Sequence, residues 1–161
     1  MSAELQQLYQ QIILDHAKAR HGAGLVEVPA GAKAGESHQL NPTCGDEITL
    51  RAVLAGSTGD PAAGPDGGAS VEGISWEGQG CSISMASASV LTDLAAGLPR
   101  DEIMALVDNF REVMRSRGTV EADEEVLGDA AAFSGVSRYP ARVKCAMLAW
   151  VALEEALLAA N

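Results

Sequence analysis

Three cysteines and one aspartate, spread over three distant segments, constrain this chain more than any of its hydrophobic patterns. Cys44 and Asp46 stand two positions apart in Asn41-Pro42-Thr43-Cys44-Gly45-Asp46. In an extended or turning backbone, residues i and i+2 point the same way, so one ion can take Cys44 Sγ and an Asp46 carboxylate oxygen. Gly45 between them allows the unusual backbone angle that such convergence needs. Alone, this C-x-D carries little weight. Cys81 in GQGCS and Cys145 in VKCAM change that, because with Cys44 and Asp46 they make four ligands, the number tetrahedral zinc takes. Three cysteines cannot all pair internally, and reduced thiols favour metal binding or catalysis over a disulfide framework.

The 161 residues suit one domain, 1–161, with enough chain to bury a core. Hydrophobic residues make up 47% and aromatic ones only 4%, which suggests a core of Ala, Val, Leu, Ile and Met. A formal charge of −11 argues against nucleic acid or an anionic membrane as partner and favours a basic protein surface. The N-terminus carries no signal-peptide pattern, and no apolar run is long enough to span a bilayer, so the expected location is the cytoplasm.

Along the chain, Leu5, Leu8, Tyr9, Ile12 and Ile13 recur at helical spacing over 3–20, with Ser2 available as a cap. His16 continues that face; it, His21 and His38 read as ordinary structural histidines. Residues 21–37, rich in Gly and Ala, read as an irregular connection. A first strand ends at His38 to Leu40, and a second runs over 47–54 with Ile48, Leu50, Ala52 and Leu54 on one face. Residues 55–70 form a low-complexity hairpin tip, and 71–79 return as a third strand presenting Ile74 and Trp76. Two glycines then lead into a small-residue helix, placing Cys81 at or near its N-terminus, where free N–H groups and the dipole favour thiolate. Pro99 to Gly118 bound a further helix striped by Ile103, Leu106, Val107, Phe110, Val113 and Met114. Glu121, Asp123, Glu124, Glu125 and Asp129 read as a solvated acidic face. The closing helix starts near Ser137 to Pro140, with Val143, Met147, Trp150, Val151, Leu157 and Leu158 as its buried side. Arg138, Arg142 and Lys144 precede or flank Cys145, where they oppose the helix dipole. That placement points to thiolate stabilisation or to docking of an anionic partner group.

NPTCGD, GQGCSISMASASVLTDL and SGVSRYPARVKCAMLAWVALEEAL, in that order, resemble the IscU-like iron–sulfur cluster assembly proteins, and within them the SufU branch. The resemblance runs from the first helix to the last. It implies an α+β fold, a small antiparallel three-stranded sheet packed against several helices, with a metal at one end. It also implies a SufS-type pyridoxal-phosphate cysteine desulfurase as partner and a downstream iron–sulfur scaffold as recipient. Two features separate the branches. Scaffold members have a histidine before the last cysteine where this chain has Lys144, and the interval from Cys81 to Cys145 is longer here by about one helix.

These features favour a zinc-dependent sulfur acceptor, with Zn2+ on Cys44, Asp46, Cys81 and Cys145 and with Cys44 as the reacting thiol. Docking on the desulfurase would free Cys44 to attack the enzyme's persulfide. The alternative is a scaffold holding iron in a [2Fe–2S] cluster on the same ligands. A cysteine hydrolase or peroxidatic enzyme ranks third, since no histidine base lies near either later cysteine in sequence.

Overall fold

The computed structural model describes residues 3–42, 45–54 and 70–160. Its centre is a three-stranded antiparallel sheet in the order β1-β2-β3, formed by Lys33–Asn41, Asp46–Leu54 and Val71–Gln79. Around it lie α1 (Ala3–Ala19), α2 (Ser82–Ala95), α3 (Arg100–Arg115), α4 (Glu124–Leu127), a 3-10 helix (Gly128–Arg138) and α5 (Pro140–Ala159). This is the α+β architecture expected from the sequence.

In β2, Ile48, Leu50, Ala52 and Leu54 are buried, as their alternation predicts, while Glu47, Thr49 and Arg51 face the half-exposed side. β3 buries Ile74 and Trp76 as expected. Residues 22–26, which lack any apolar pattern, run along the outer edge of β3. The N–H of Gly24 donates to the Trp76 carbonyl at 2.7 Å, and the N–H of Trp76 donates to the Gly22 carbonyl at 2.9 Å. The edge strand is thereby covered.

β1 corrects one expectation, because it starts at Lys33 inside the segment read as irregular. Its sequence, KAGESHQLN, has one large apolar residue, Leu40, and that residue is exposed, so none marks an inward face. The inward contact is made by Gly35, where a Cβ would stand 1.7 Å from the Ala156 carbonyl oxygen. Backbone packs directly on helix here, so hydrophobic periodicity gives no signal.

α5 crosses β1 and β2, and α2 packs against α5 and α1. Pro140 stands at the start of α5, where a missing N–H costs nothing. Its buried side is Cys145, Ala146, Leu148, Ala149, Trp150, Ala152, Leu153, Ala156 and Leu157. Of the expected stripe, Trp150 and Leu157 are inside; Val143, Met147 and Val151 are half-buried and Leu158 is exposed. The helix is apolar nearly all round, so spacing alone does not select a face. Phe110 of α3 stacks on Trp150 with ring centroids 4.0 Å apart. The Trp150 indole N–H donates to Ser87 Oγ at 2.9 Å, and that hydroxyl donates to the Ala146 carbonyl at 2.6 Å. α2 and α5 are thus joined by a satisfied polar link inside an apolar core.

α1 lies shallowly on this core. Leu5, Tyr9, Ile12 and Ile13 are half-buried, Leu8 is exposed, and His16 is the helix's one buried residue. The acidic block is partly engaged rather than wholly solvated, since the Tyr9 hydroxyl donates to Glu124 and Asp129 lies against His16. After α4 the chain winds through the 3-10 helix, burying Ala130, Ala131, Ala132, Phe133 and Val136, an element that the sequence reading did not separate. The expected Ser2 cap and all but Ser70 of the expected hairpin tip lie outside the described residues.

Candidate metal centre

Asp46 opens β2 and is paired across the ladder with Asn41, while the Gly45 N–H donates to the Asn41 carbonyl at 2.8 Å. The chain therefore reverses between them, and Gly45 has the positive φ, +74°, that favours glycine. Cys44 belongs to this reversal by sequence, but its placement lies outside the described residues.

Asp46 is buried at 2% relative exposure, and both carboxylate oxygens are engaged. Oδ1 accepts the backbone N–H of Cys81 at 3.0 Å. Oδ2 accepts the hydroxyl of Ser84 and lies 3.5 Å from Cys81 Sγ. Gly80 makes the fit possible: a Cβ there would fall 2.6 Å from Asp46 Oδ1 and 2.8 Å from its Cγ. The glycine before Cys81 is therefore a space requirement of the carboxylate.

Cys81 is the N-cap of α2 and is exposed, as its place after two glycines suggests. Cys145, two turns into α5, is buried, with its Sγ 3.7 Å from the Ala141 carbonyl. One ligand atom each from Asp46, Cys81 and Cys145 lies within 4.8 Å of the other two. Three elements far apart in sequence thus bring two thiols and a carboxylate to one point.

This donor set fits a metal ion. If Cys81 and Cys145 are thiolates, the buried carboxylate and two sulfur anions crowd together, and a cation between them removes the repulsion. Two sulfurs and one oxygen suit zinc or iron better than magnesium or calcium. The fixed carboxylate supplies the orientation that metal ligands usually receive from neighbouring hydrogen bonds.

Ser84 is the site residue that sequence reading missed. Its hydroxyl touches both Asp46 Oδ2 and, at 3.5 Å, Cys81 Sγ. The available signal was its spacing: three residues after Cys81 on a helix, it shares the cysteine's face. His38 lies outside the cluster, 3.3 Å from Glu47 on the exposed side of the sheet.

Arg138, Arg142 and Lys144 are all exposed. Arg138 and Arg142 line an open cleft of about 630 Å3, with Tyr9 and Ile13 of α1, Ile83 of α2 and Tyr139 among its walls. The Arg142 guanidinium sits 5.2 Å over the Tyr139 ring, a cation–π contact that holds it at the mouth. Lys144 is not among the lining residues.

The comparisons with known proteins point to one family. Residues 8–146 match the NifU-like N-terminal domain. The chain is 37% identical to the zinc-dependent sulfurtransferase SufU of Bacillus subtilis, over 96% of this chain and 92% of that protein. It is 35% identical to the iron–sulfur cluster assembly scaffold protein IscU of Streptococcus pyogenes, over 96% and 86% respectively. A candidate iron–sulfur cluster assembly scaffold of the SUF system from Fervidobacterium islandicum shares the fold at a TM-score of 0.72. That protein is 32% identical, over 94% of this chain and 97% of its own. Among the described residues no helix is long and apolar enough to cross a membrane. The chain belongs to the NifU-like N-terminal domain family, among the SufU- and IscU-type proteins of iron–sulfur cluster assembly.

Proposed function

We propose that this protein is a zinc-dependent sulfur acceptor that takes persulfide sulfur from a pyridoxal-phosphate cysteine desulfurase and passes it to iron–sulfur cluster assembly. The observation that carries the reading is the convergence of Asp46, Cys81 and Cys145 beside a reversal containing Cys44. Lys144, in place of a ligating histidine, weighs against a cluster platform, and the B. subtilis relative is a zinc-dependent sulfurtransferase.

Cys44, Asp46, Cys81 and Cys145 would hold the ion, and zinc bound there would keep the thiols deprotonated at neutral pH. Cys44, between Pro42 and Gly45 in sequence and outside any helix segment, would move without dislodging a helix. Its thiolate attacks the outer sulfur of the desulfurase cysteine persulfide; a new S–S bond forms, the old one breaks, and the desulfurase cysteine leaves as thiolate. Asp46, pinned by Ser84 and the Cys81 N–H, stays in place while Cys44 moves. Arg138, Arg142 and Lys144 receive an acidic part of the desulfurase, with the first two presented at the cleft. The same chemistry assigns the protein to the reducing cytoplasm, with a downstream scaffold as recipient.

Adding the protein to its cognate desulfurase should raise cysteine turnover to a saturating value. Arg142→Glu should raise the half-saturating concentration, with the difference shrinking at high salt. An unchanged turnover ends the proposal, and a salt-independent effect removes its electrostatic part. The second reading, a [2Fe–2S] scaffold, is favoured by the IscU-named relatives from S. pyogenes and Thermotoga maritima. Metal analysis of the purified protein separates the two, since one zinc in a colourless protein opposes iron with sulfide in a brown one.

A further inference from the structure

Two of the chain's three histidines meet away from the cysteines. His16, in the last turn of α1, is buried, with 8% relative exposure, and His21 follows in the loop after that helix. Their rings are edge-to-face, with centroids 5.3 Å apart. Asp93 of α2 closes the group, and one ligand atom from each of His16, His21 and Asp93 lies within 4.8 Å of the others.

The donors are held rather than loose. His16 Nδ1 is 2.8 Å from Ser89 Oγ, and that same hydroxyl oxygen accepts the backbone N–H of His21 at 2.9 Å. One buried serine of α2 thus positions both histidines. With Nδ1 engaged, His16 offers Nε2, which lies 3.2 Å from Asp129 Oδ2. His21 Nδ1 lies 2.7 Å from Asp93 Oδ2. Donors about 2.0 Å from a tetrahedral zinc ion stand about 3.3 Å apart, and the three donors of His16, His21 and Asp93, all within 4.8 Å of one another, reach that spacing by side-chain adjustment. A histidine whose second nitrogen is fixed by a hydroxyl is the usual presentation of an imidazole ligand.

We propose that His16, His21 and Asp93 form a second divalent transition-metal site. The nitrogen–oxygen set selects zinc, cobalt or nickel over the harder magnesium and calcium, and it has no thiol. It lies where α1 hands over to the loop covering the β3 edge, so an ion here would clasp that loop and α1 to α2. Its chemistry is independent of the sulfur-acceptor reading.

The test uses the full chain already carrying one equivalent of zinc, titrated with Co2+ and followed by calorimetry and visible absorption. A second equivalent per chain is expected, with d–d bands but no thiolate-to-cobalt charge transfer, and with the His16 and His21 ring resonances broadened while those of His38 are not. His21→Ala and Asp93→Asn alter exposed side chains. Each should weaken this step by more than the about 10–100-fold typical of losing an orienting partner, and each should leave the first equivalent in place. Absence of a second step up to about 1 mM free Co2+ overturns the proposal. So does a second step that survives both substitutions or that carries the thiolate band. Failure of the thiol site would instead appear as loss of the first equivalent with the second intact.

Discussion

Asp46 accepts from the Ser84 hydroxyl and the Cys81 N–H, so the geometry of the candidate metal centre depends in part on a serine that is not itself a candidate ligand. Ser84→Ala removes the hydroxyl that orients Asp46 Oδ2 and adds no bulk to α2. Losing an orienting partner of this kind weakens metal binding by about 10–100-fold. Competition with a chromophoric chelator should show that loss, with the far-ultraviolet circular dichroism unchanged; wild-type affinity would remove Ser84 from the account. Asp46, Cys81 and Cys145 were legible in sequence because thiols are few and, with Cys44, they complete a set of four candidate ligands. Ser84 was not, because a serine in a small-residue helix has many ordinary reasons to be there. Gly80 was readable as a breaker, but its clash with Asp46 depends on how β3 ends beside β2.

At the scale of elements, α1 is the shallowest helix and relies on polar anchors. The Tyr9 hydroxyl reaches Glu124 at the start of α4. Partial burial, and then the Glu124 carboxylate, push the Tyr9 phenol from 10.0 up to about 12. A folded-state value above the unfolded one stabilises the protein fully below about pH 10, and that contribution is lost as pH rises through about 12. Tyr9→Phe should therefore cost about 0.5–1.5 kcal/mol in urea unfolding at pH 8, and the gap from wild type should close towards pH 12. A gap that is constant with pH would contradict the anchor. Elements with a marked pattern were readable: β2 by alternation, α3 by its stripe between Pro99 and Gly118. β1 escaped because Gly35 packs backbone against α5, and the buried face of α5 escaped because alanines and leucines surround it. The acidic block was legible as charge, not as the partner of Tyr9 and His16, since those contacts join residues more than a hundred positions apart.

In the whole molecule, the metal centre joins the β1–β2 reversal, the start of α2 and the second turn of α5, so occupancy and folding should be coupled. A ligand present at about a hundredfold its Kd adds about 2.7 kcal/mol to folded-state stability. For a chain of this length, that corresponds to about 5–11 °C in Tm. Chelation followed by verified metal removal should lower Tm by at least this amount, and an unchanged melt would deny the ion any part in holding the three segments together. The proposed sulfur transfer sets a stricter condition, because one of those segments would have to release its thiol while the other two hold. Cys81 begins α2 and Cys145 is buried within α5, so moving either one disturbs packing, whereas Cys44 lies in sequence between Pro42 and Gly45, outside both helices. The most direct measurement is intact mass after incubation with the desulfurase and cysteine, without reductant. Wild type should gain one sulfur, about 32 Da, by persulfide formation, and Cys44→Ala should gain none while remaining folded. An added sulfur that persists in Cys44→Ala would contradict the assignment of Cys44 as acceptor.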